Sequence, residues 1–159
     1  MGEISAPVPL SADHQVEQFD CGVASLNDFL KKRAIKNEKQ GASRTFVVCN
    51  DDQVIGYYSL ATGSILHKDA PGKVRRNMPD PIPAMVLGRL AVDQSYKRFG
   101  LGRGLLKDAI LRTVKAAQHA GIKVLLVHAI SEEAKAFYEK NGFLTSPLDP
   151  MLLMTTLPR

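Results

Sequence analysis

The sequence predicts a mixed α/β fold, and three observations carry that prediction. Residues 45–50 and 53–62 are apolar runs rich in β-formers, separated only by Asp51 and Asp52, which is the pattern of an antiparallel hairpin. Two longer segments, 23–39 and 103–120, repeat apolar residues at helical spacing, and each stops at a glycine, Gly41 and Gly121. Residues 124–129 are almost wholly apolar, as expected of a strand buried on both faces. With 159 residues, 45% of them hydrophobic, the chain is expected to form one domain, 1–159, around a full core.

The remaining elements follow in order. Residues 3–9 read as an edge strand limited by Pro7 and Pro9. Ser11 offers a cap for a short helix over 11–19, closed by Asp20, Cys21 and Gly22. The helix over 23–39 gathers Val23, Leu26, Phe29, Leu30 and Ala34 on one face and Lys31, Lys32, Lys36 and Lys39 on the other. A long loop spans 63–81, and a strand over 82–92 follows it. Ser131 caps a helix to Lys140, Glu132 and Glu133 suit its positive end, and Asn141-Gly142 ends it. Residues 143–144 and 151–157 form a closing strand pair around the 147–150 loop.

Between the strand over 82–92 and the helix from Arg103 lies a basic, glycine-rich stretch, 97–104. The first N–H groups of a helix lack internal partners, and the macrodipole adds partial positive charge there. Gly100, Gly102 and Gly104 let an anion approach the backbone, while Lys97, Arg98 and Arg103 add full charges. The stretch reads as a phosphate or pyrophosphate cradle. It is not a Walker loop, whose GxxxxGK[ST] is absent. Nor is it a dinucleotide fingerprint: Leu105 stands where the third glycine belongs, and Gly121, Ile122 and Lys123 occupy the place of the acid.

A net charge of +5 favours an anionic partner. Lys31, Lys32, Arg33, Lys36, Lys39 and Arg44 crowd one segment, and Lys68, Lys73, Arg75 and Arg76 another. One such cluster is ordinarily a solvated face; three, counting the glycine stretch, point towards nucleic acid. Cys21 and Cys49 have no metal-ligand spacing and read as buried free thiols. His14, His67 and His119 match no metal spacing, and His128 reads as a core residue, so no metal site is expected. The N-terminus lacks the cationic start and apolar region of a signal peptide, and no apolar run reaches a membrane-spanning length, so a cytoplasmic protein with no membrane partner is expected.

Two segments together carry a family resemblance. Lys97-Arg98-Phe99-Gly100-Leu101-Gly102 resembles the [QR]-x-x-G-x-[GA] acetyl-CoA loop of the GNAT N-acetyltransferase family, with Lys97 in place of the usual Gln or Arg. Downstream, Ala134-Lys135-Ala136-Phe137-Tyr138-Glu139-Lys140-Asn141-Gly142-Phe143 resembles that family's A-x-x-F-Y-x-x-x-G-F signature. The resemblance covers about 86–144. It implies a twisted, mainly antiparallel sheet flanked by helices and splayed at the acetyl-CoA site. It also implies that Phe99, Gly100, Leu101, Gly102, Arg103 and Gly104, with Lys97 and Arg98, hold the cofactor's pyrophosphate. Leu90, Ala91 and Val92 would bond the pantetheine arm, Phe137 would line the cofactor, and Tyr138 would serve the departing thiolate.

A thiolate leaving group, with a conjugate acid near pKa 8.5, gains from a positioned donor. No general base is evident: Arg89 occupies the region where many members of the family carry an acid, and Asp93 sits close against the loop. That suits an amine that is already largely unprotonated. A lysine side chain, pKa about 10.4, is not, whereas an α-amine is near 7.7–8.0 and lower beside an ester. A narrower resemblance agrees. Phe19-Asp20-Cys21-Gly22, Leu26-Asn27-Asp28-Phe29-Leu30 and Leu87-Gly88-Arg89-Leu90-Ala91-Val92-Asp93 resemble the TacT-like toxins of bacterial toxin–antitoxin pairs. This implies acetylation of aminoacyl-tRNA, a homodimer and a ribbon-helix-helix antitoxin. Lys31, Lys36, Arg75, Arg76 and Arg89 are the candidate tRNA contacts by charge. The alternatives are a GNAT enzyme acting on a small amine or protein N-terminus, a non-catalytic CoA-binding module, and a basic nucleic-acid-binding protein.

Overall fold

The structure, a computed structural model, describes residues 4–158. In chain order the elements are β1 (Val8–Pro9), α1 (Ala24–Asp28), a π-helical turn (Phe29–Arg33), α2 (Ala34–Gln40), β2 (Arg44–Asn50) and β3 (Gln53–Ile65). A 3-10 turn (His67–Asp69), α3 (Gly72–Arg75), β4 (Ile82–Val92), a second 3-10 turn (Gln94–Phe99) and α4 (Leu101–Ala116) follow. The last elements are β5 (Val124–His128), α5 (Glu132–Lys140), β6 (Leu144–Thr145) and β7 (Leu152–Thr156). The strand order is β1-β2-β3-β4-β5-β7-β6. β1/β2, β2/β3, β5/β7 and β6/β7 are antiparallel, and β4/β5 is parallel. The mixed, mainly antiparallel expectation is therefore met.

The chain forms two compact units. The first holds the described residues up to Ala61 together with Arg89–Ala109. Its core joins Leu10, Phe19, Leu26, Phe29, Leu30, Ala34, Val47, Val54, Tyr57 and Ala91, so the apolar face read from helical spacing is the buried one. Phe19 meets Tyr57 edge-on at 5.6 Å and Phe29 stacks on it at 6.1 Å, contacts worth about 0.5–1.5 kcal/mol each beyond burial. The Tyr57 hydroxyl donates to the Leu26 carbonyl at 2.7 Å, which satisfies the buried phenol. The hairpin pairs Val47 with Tyr57 and turns through Asp51 at φ 56, with a register shift at Val48/Cys49. Gly41, at φ 73, ends α2.

Three sequence expectations in this unit need correction. The helix over 11–19 does not form: Gln15 N–H donates to Asp52 O and Val54 N–H to Gln15 O, so backbone that a helix would need is paired with the hairpin. The edge strand shrinks to Val8–Pro9, with a single bridge from Ile4 to Asn50; Glu3 lies outside the described residues. The helix over 23–39 is interrupted by the π-helical turn Phe29–Arg33.

The second unit holds Thr62–Gly88 and the described residues from Ile110. Ile65, Ala70, Val74, Ile82, Ala84, Val124, Leu126, Leu152 and Met154 form its core. The loop read over 63–81 is in part regular, since β3 runs on to Ile65 and α3 places Val74 in the core. The β4–β5 ladder ends at Val86↔Leu126, while β4 runs on through Leu87 and Gly88 and β5 continues against β7 alone, which is the expected splay. His128, expected in the core, is exposed at the end of β5. Ser131 accepts the Ala134 N–H at 3.0 Å, and Gly142 at φ 91 follows α5, as its sequence requires. Both cysteines are buried and free. Among the described residues no helix is long and apolar enough to cross a membrane, and no cluster of His, Cys, Asp or Glu could hold a metal ion.

Candidate active site

In the first unit, β4 delivers the chain through Leu90, Ala91 and Val92 to Asp93 and the 3-10 turn Gln94–Phe99. Ala91 is buried in the core; Leu90 and Val92 are half-buried. Of the three loop glycines, Gly100 alone has a positive φ, +73, and α4 begins at Leu101, two residues before Arg103. Gly102 and Gly104 therefore lie in the first turn of α4, and the Gly104 N–H already donates to Gly100 O at 3.2 Å. Helical geometry leaves the N–H groups of Leu101, Gly102 and Arg103 without carbonyls four residues back, and these can meet an anion. A Cβ at Gly100 or Gly104 would touch nothing within 4 Å, so the approach is open. Lys97, Arg98 and Arg103 are exposed around it. Phe99 is 55% exposed, with the Arg98 guanidinium 5.9 Å from its ring centroid.

Asp93 is buried, and both of its carboxylate oxygens are engaged. Oδ1 accepts the Ser95 N–H at 2.9 Å and Oδ2 accepts the Asp20 N–H at 3.0 Å. It is turned into the fold and holds the loop rather than serving as a base. The Asp20 carboxyl is held below its ordinary range, first by the Gly22 N–H and then by the Asn27 amide. Tyr96 accepts the Asn50 side-chain N–H at 2.7 Å, a second tie on the loop. Behind it Leu105, Leu106 and Ala109 bury α4. The close approach rests on Gly56, where a Cβ would stand 2.9 Å from Val48 Cγ2 and 3.1 Å from Leu105 Cδ1. Sequence reasoning missed Gly56; a glycine inside a β-rich run was its one available signal.

Arg89, half-buried on β4, lays its guanidinium 3.8 Å from the Phe29 ring centroid. Phe29 in turn stacks on Tyr57, so the cation sits over one end of a stacked aromatic pair. The π-helical turn begins at Phe29, and such turns are frequent at functional sites. In the first basic cluster Lys32 pairs with Asp28 at 3.6 Å and Arg44 with Glu38 at 3.5 Å. Lys31 and Lys36 are exposed and form no ion pair among the described residues.

In the second unit, α5 carries the aromatic pair of the family signature. Phe137 is half-buried, and Tyr138 is 5% exposed, packed edge-on against Phe137 at 5.2 Å and tilted on Phe143 at 5.3 Å. Burial pushes the Tyr138 phenol well above its ordinary value, so the group keeps its proton and can act as a donor. The end of α5 is held by the Asn141 side-chain N–H, which donates to Phe137 O at 2.8 Å. Arg75 and Arg76 are exposed, and Arg75 donates to Ala70 O at 3.1 Å. Lys73 lines a cleft of about 590 Å³ with Val114, Ile122, Lys123 and Leu157.

Comparison with known proteins bears on both halves of this chemistry. Residues 41–144 match the acetyltransferase (GNAT) domain model. A tRNA-acetylating toxin of Mycobacterium tuberculosis (strain ATCC 25618 / H37Rv) is 52% identical over 154 residues, covering 97% of this chain and 93% of that protein. The solved structure of AtaT complexed with acetyl-methionyl-tRNAfMet matches with a TM-score of 0.90 at 28% identity, over 97% of this chain and 95% of that one. A tyrosine-to-phenylalanine variant of AtaT, bound to the C-terminus of the antitoxin AtaR and to acetyl-CoA, matches with a TM-score of 0.82 at 29% identity, over 96% and 92%. The domain match takes in the glycine stretch, the open backbone at the start of α4 and the Phe137–Tyr138 pair: the chain belongs to the GNAT acetyltransferase family.

Proposed function

We propose that the protein is an acetyl-CoA-dependent N-acetyltransferase toxin that acetylates the α-amino group of aminoacyl-tRNA and so blocks translation. The observation that carries this reading is the 52% identity, over 97% of the chain, to a tRNA-acetylating toxin. The free N–H groups of Leu101, Gly102 and Arg103, with Lys97, Arg98, Phe99, Gly100 and Gly104 around them, take the pyrophosphate of acetyl-CoA. Leu90, Ala91 and Val92 bond the pantetheine arm, and Phe137 packs against the cofactor. The substrate amine attacks the thioester carbonyl carbon, the nitrogen gives up its surplus proton to solvent, and the tetrahedral intermediate collapses to the amide as the C–S bond breaks and CoA leaves as the thiolate.

Tyr138 then donates a hydrogen bond to the leaving sulfur. Because its pKa is raised while a thiol sits near 8.5, full proton transfer from phenol to thiolate is uphill, and the stabilisation is that of a donor held in place. The amine needs no protein base: an α-amine beside an ester is substantially unprotonated at neutral pH, and the Asp93 carboxylate is already occupied. Lys31, Lys36, Arg75, Arg76 and Arg89 contact the tRNA backbone. The protein acts in the cytoplasm as a homodimer of single-domain chains and is neutralised by a ribbon-helix-helix antitoxin.

A cell-free translation reaction tests the proposal. Adding the protein with acetyl-CoA is expected to stop peptide synthesis, whereas the protein without acetyl-CoA, or Tyr138→Phe with it, leaves synthesis near the control. Full synthesis with the wild type and acetyl-CoA present would overturn the toxin reading.

A further inference from the structure

The Phe19-Asp20-Cys21-Gly22 segment and Asn27 carry no role in the chemistry above, yet a continuous hydrogen-bond chain fastens them to the start of the acetyl-CoA loop. Asn27 engages both ends of its amide: Nδ2 donates to Asp20 Oδ1 at 3.0 Å, and Oδ1 accepts the Cys21 N–H at 2.9 Å. Asp20 Oδ1 also accepts the Gly22 N–H at 2.9 Å, which closes a tight turn with Gly22 at φ 90. The backbone of Asp20 then meets the loop twice. Its N–H donates to Asp93 Oδ2, and its carbonyl accepts the Gln94 N–H at 2.9 Å. Asp93 passes the constraint on, since its other oxygen accepts the Ser95 N–H and its own N–H donates to Ile55 O at 2.8 Å. A Cβ at Gly22 would lie 2.8 Å from Gln94 Nε2, so the turn is pressed against the loop.

We infer that this N-terminal turn is a buckle that sets the acetyl-CoA loop, with Asp93, Asp20 and Asn27 as positioning residues for the cofactor. A loop that binds pyrophosphate through backbone N–H groups has no side-chain freedom with which to correct a shifted backbone. Its affinity therefore depends on what holds its first residues. The buckle holds them through a segment some 70 residues away in sequence, and Asn27 acts through Asp20 without touching the loop. The inference rests on the loop being the cofactor site, as proposed above.

Two variants test it, with CoA affinity measured by titration calorimetry and kcat measured at saturating acetyl-CoA. Asp93→Asn keeps one acceptor and turns an N–H towards a donor; Asn27→Ala removes both contacts on the turn. Both are expected to weaken CoA binding at least fivefold while kcat at saturation stays within twofold. Tyr138→Phe should show the reverse pattern, with kcat lost and CoA binding kept. A merely structural role would lower the unfolding midpoint and leave the folded fraction binding CoA like the wild type, and that result would overturn the inference. If Asp93→Asn fails to fold, Asn27→Ala decides the matter alone. Failure of the wild type itself to bind CoA would instead sink the cofactor reading on which the buckle depends.

Discussion

The phenol of Tyr138 is packed against Phe137 and Phe143 and holds its proton more tightly than a phenol in water. Removing the hydroxyl alone should leave that packing intact. Tyr138→Phe is thus expected to lower kcat at least tenfold, about 1.4 kcal/mol, with CoA affinity unchanged; an equal loss of affinity would contradict a role confined to the leaving group. Burial has a second consequence. Tyr57 and Tyr138 both have raised pKa values, so above pH 10 the unfolded chain gives up these protons while the native chain keeps them. Stability should be unaffected by these groups below pH 10 and should fall as pH rises past it. Denaturant unfolding at pH 9 and pH 11 is expected to show a smaller loss for Tyr138→Phe than for the wild type. At this scale Tyr138 is singled out by the resemblance of residues 134–143 to the family signature, since its helical spacing alone fits a core aromatic equally well. The inward turn of Asp93 was only half legible: its bond to Ser95 is a local Asx turn, but its bond to Asp20 spans 73 positions.

The helix α5, whose signals are all local, was read correctly. α5 is set by its Ser131 cap, two acids in its first turn and Asn141-Gly142 at its end, all within the segment itself. The segment 11–19 carries a comparable start, but its backbone pairs with Asp52 and Val54 across the chain, and tertiary pairing overrides the local preference. The glycine stretch shows a third case. The sequence reads it as an anion cradle built on three glycines, yet Gly102 and Gly104 are helical, Gly100 alone has a positive φ, and a Cβ at Gly104 would meet nothing within 4 Å. The packing of α4 depends on Gly56, whose added methyl would meet Val48 at 2.9 Å. Gly56→Ala is expected to cost about 1–3 kcal/mol in urea unfolding, as overpacking does; a neutral substitution would show that α4 is free to shift outward.

For the whole molecule, charge is the organising quantity. Exposed ion pairs such as Lys32–Asp28 contribute little to stability, so the excess of cations is better explained by a polyanionic substrate. Removing one phosphate contact should weaken tRNA binding and reduce its salt dependence by about one ion, without altering CoA affinity. Arg76→Ala, at an exposed position, is expected to behave so when binding is followed across salt concentrations; an unchanged slope would remove Arg76 from the tRNA surface. The clusters were legible in the sequence, but which members stand clear was not. Arg44 is tied to Glu38 and Arg75 to Ala70, and Arg89, outside the clusters, lies against Phe29, contacts that only the folded chain creates.

The measurement that bears most directly on this account is transfer of labelled acetyl from acetyl-CoA to charged tRNA, with uncharged tRNA and free amino acids as controls. Label on the α-amine of charged tRNA alone, reduced at least tenfold in Tyr138→Phe, is the expected result. Charged tRNA left unlabelled by a wild-type protein that binds acetyl-CoA would contradict the account, and would leave the acetyltransferase fold in need of another substrate.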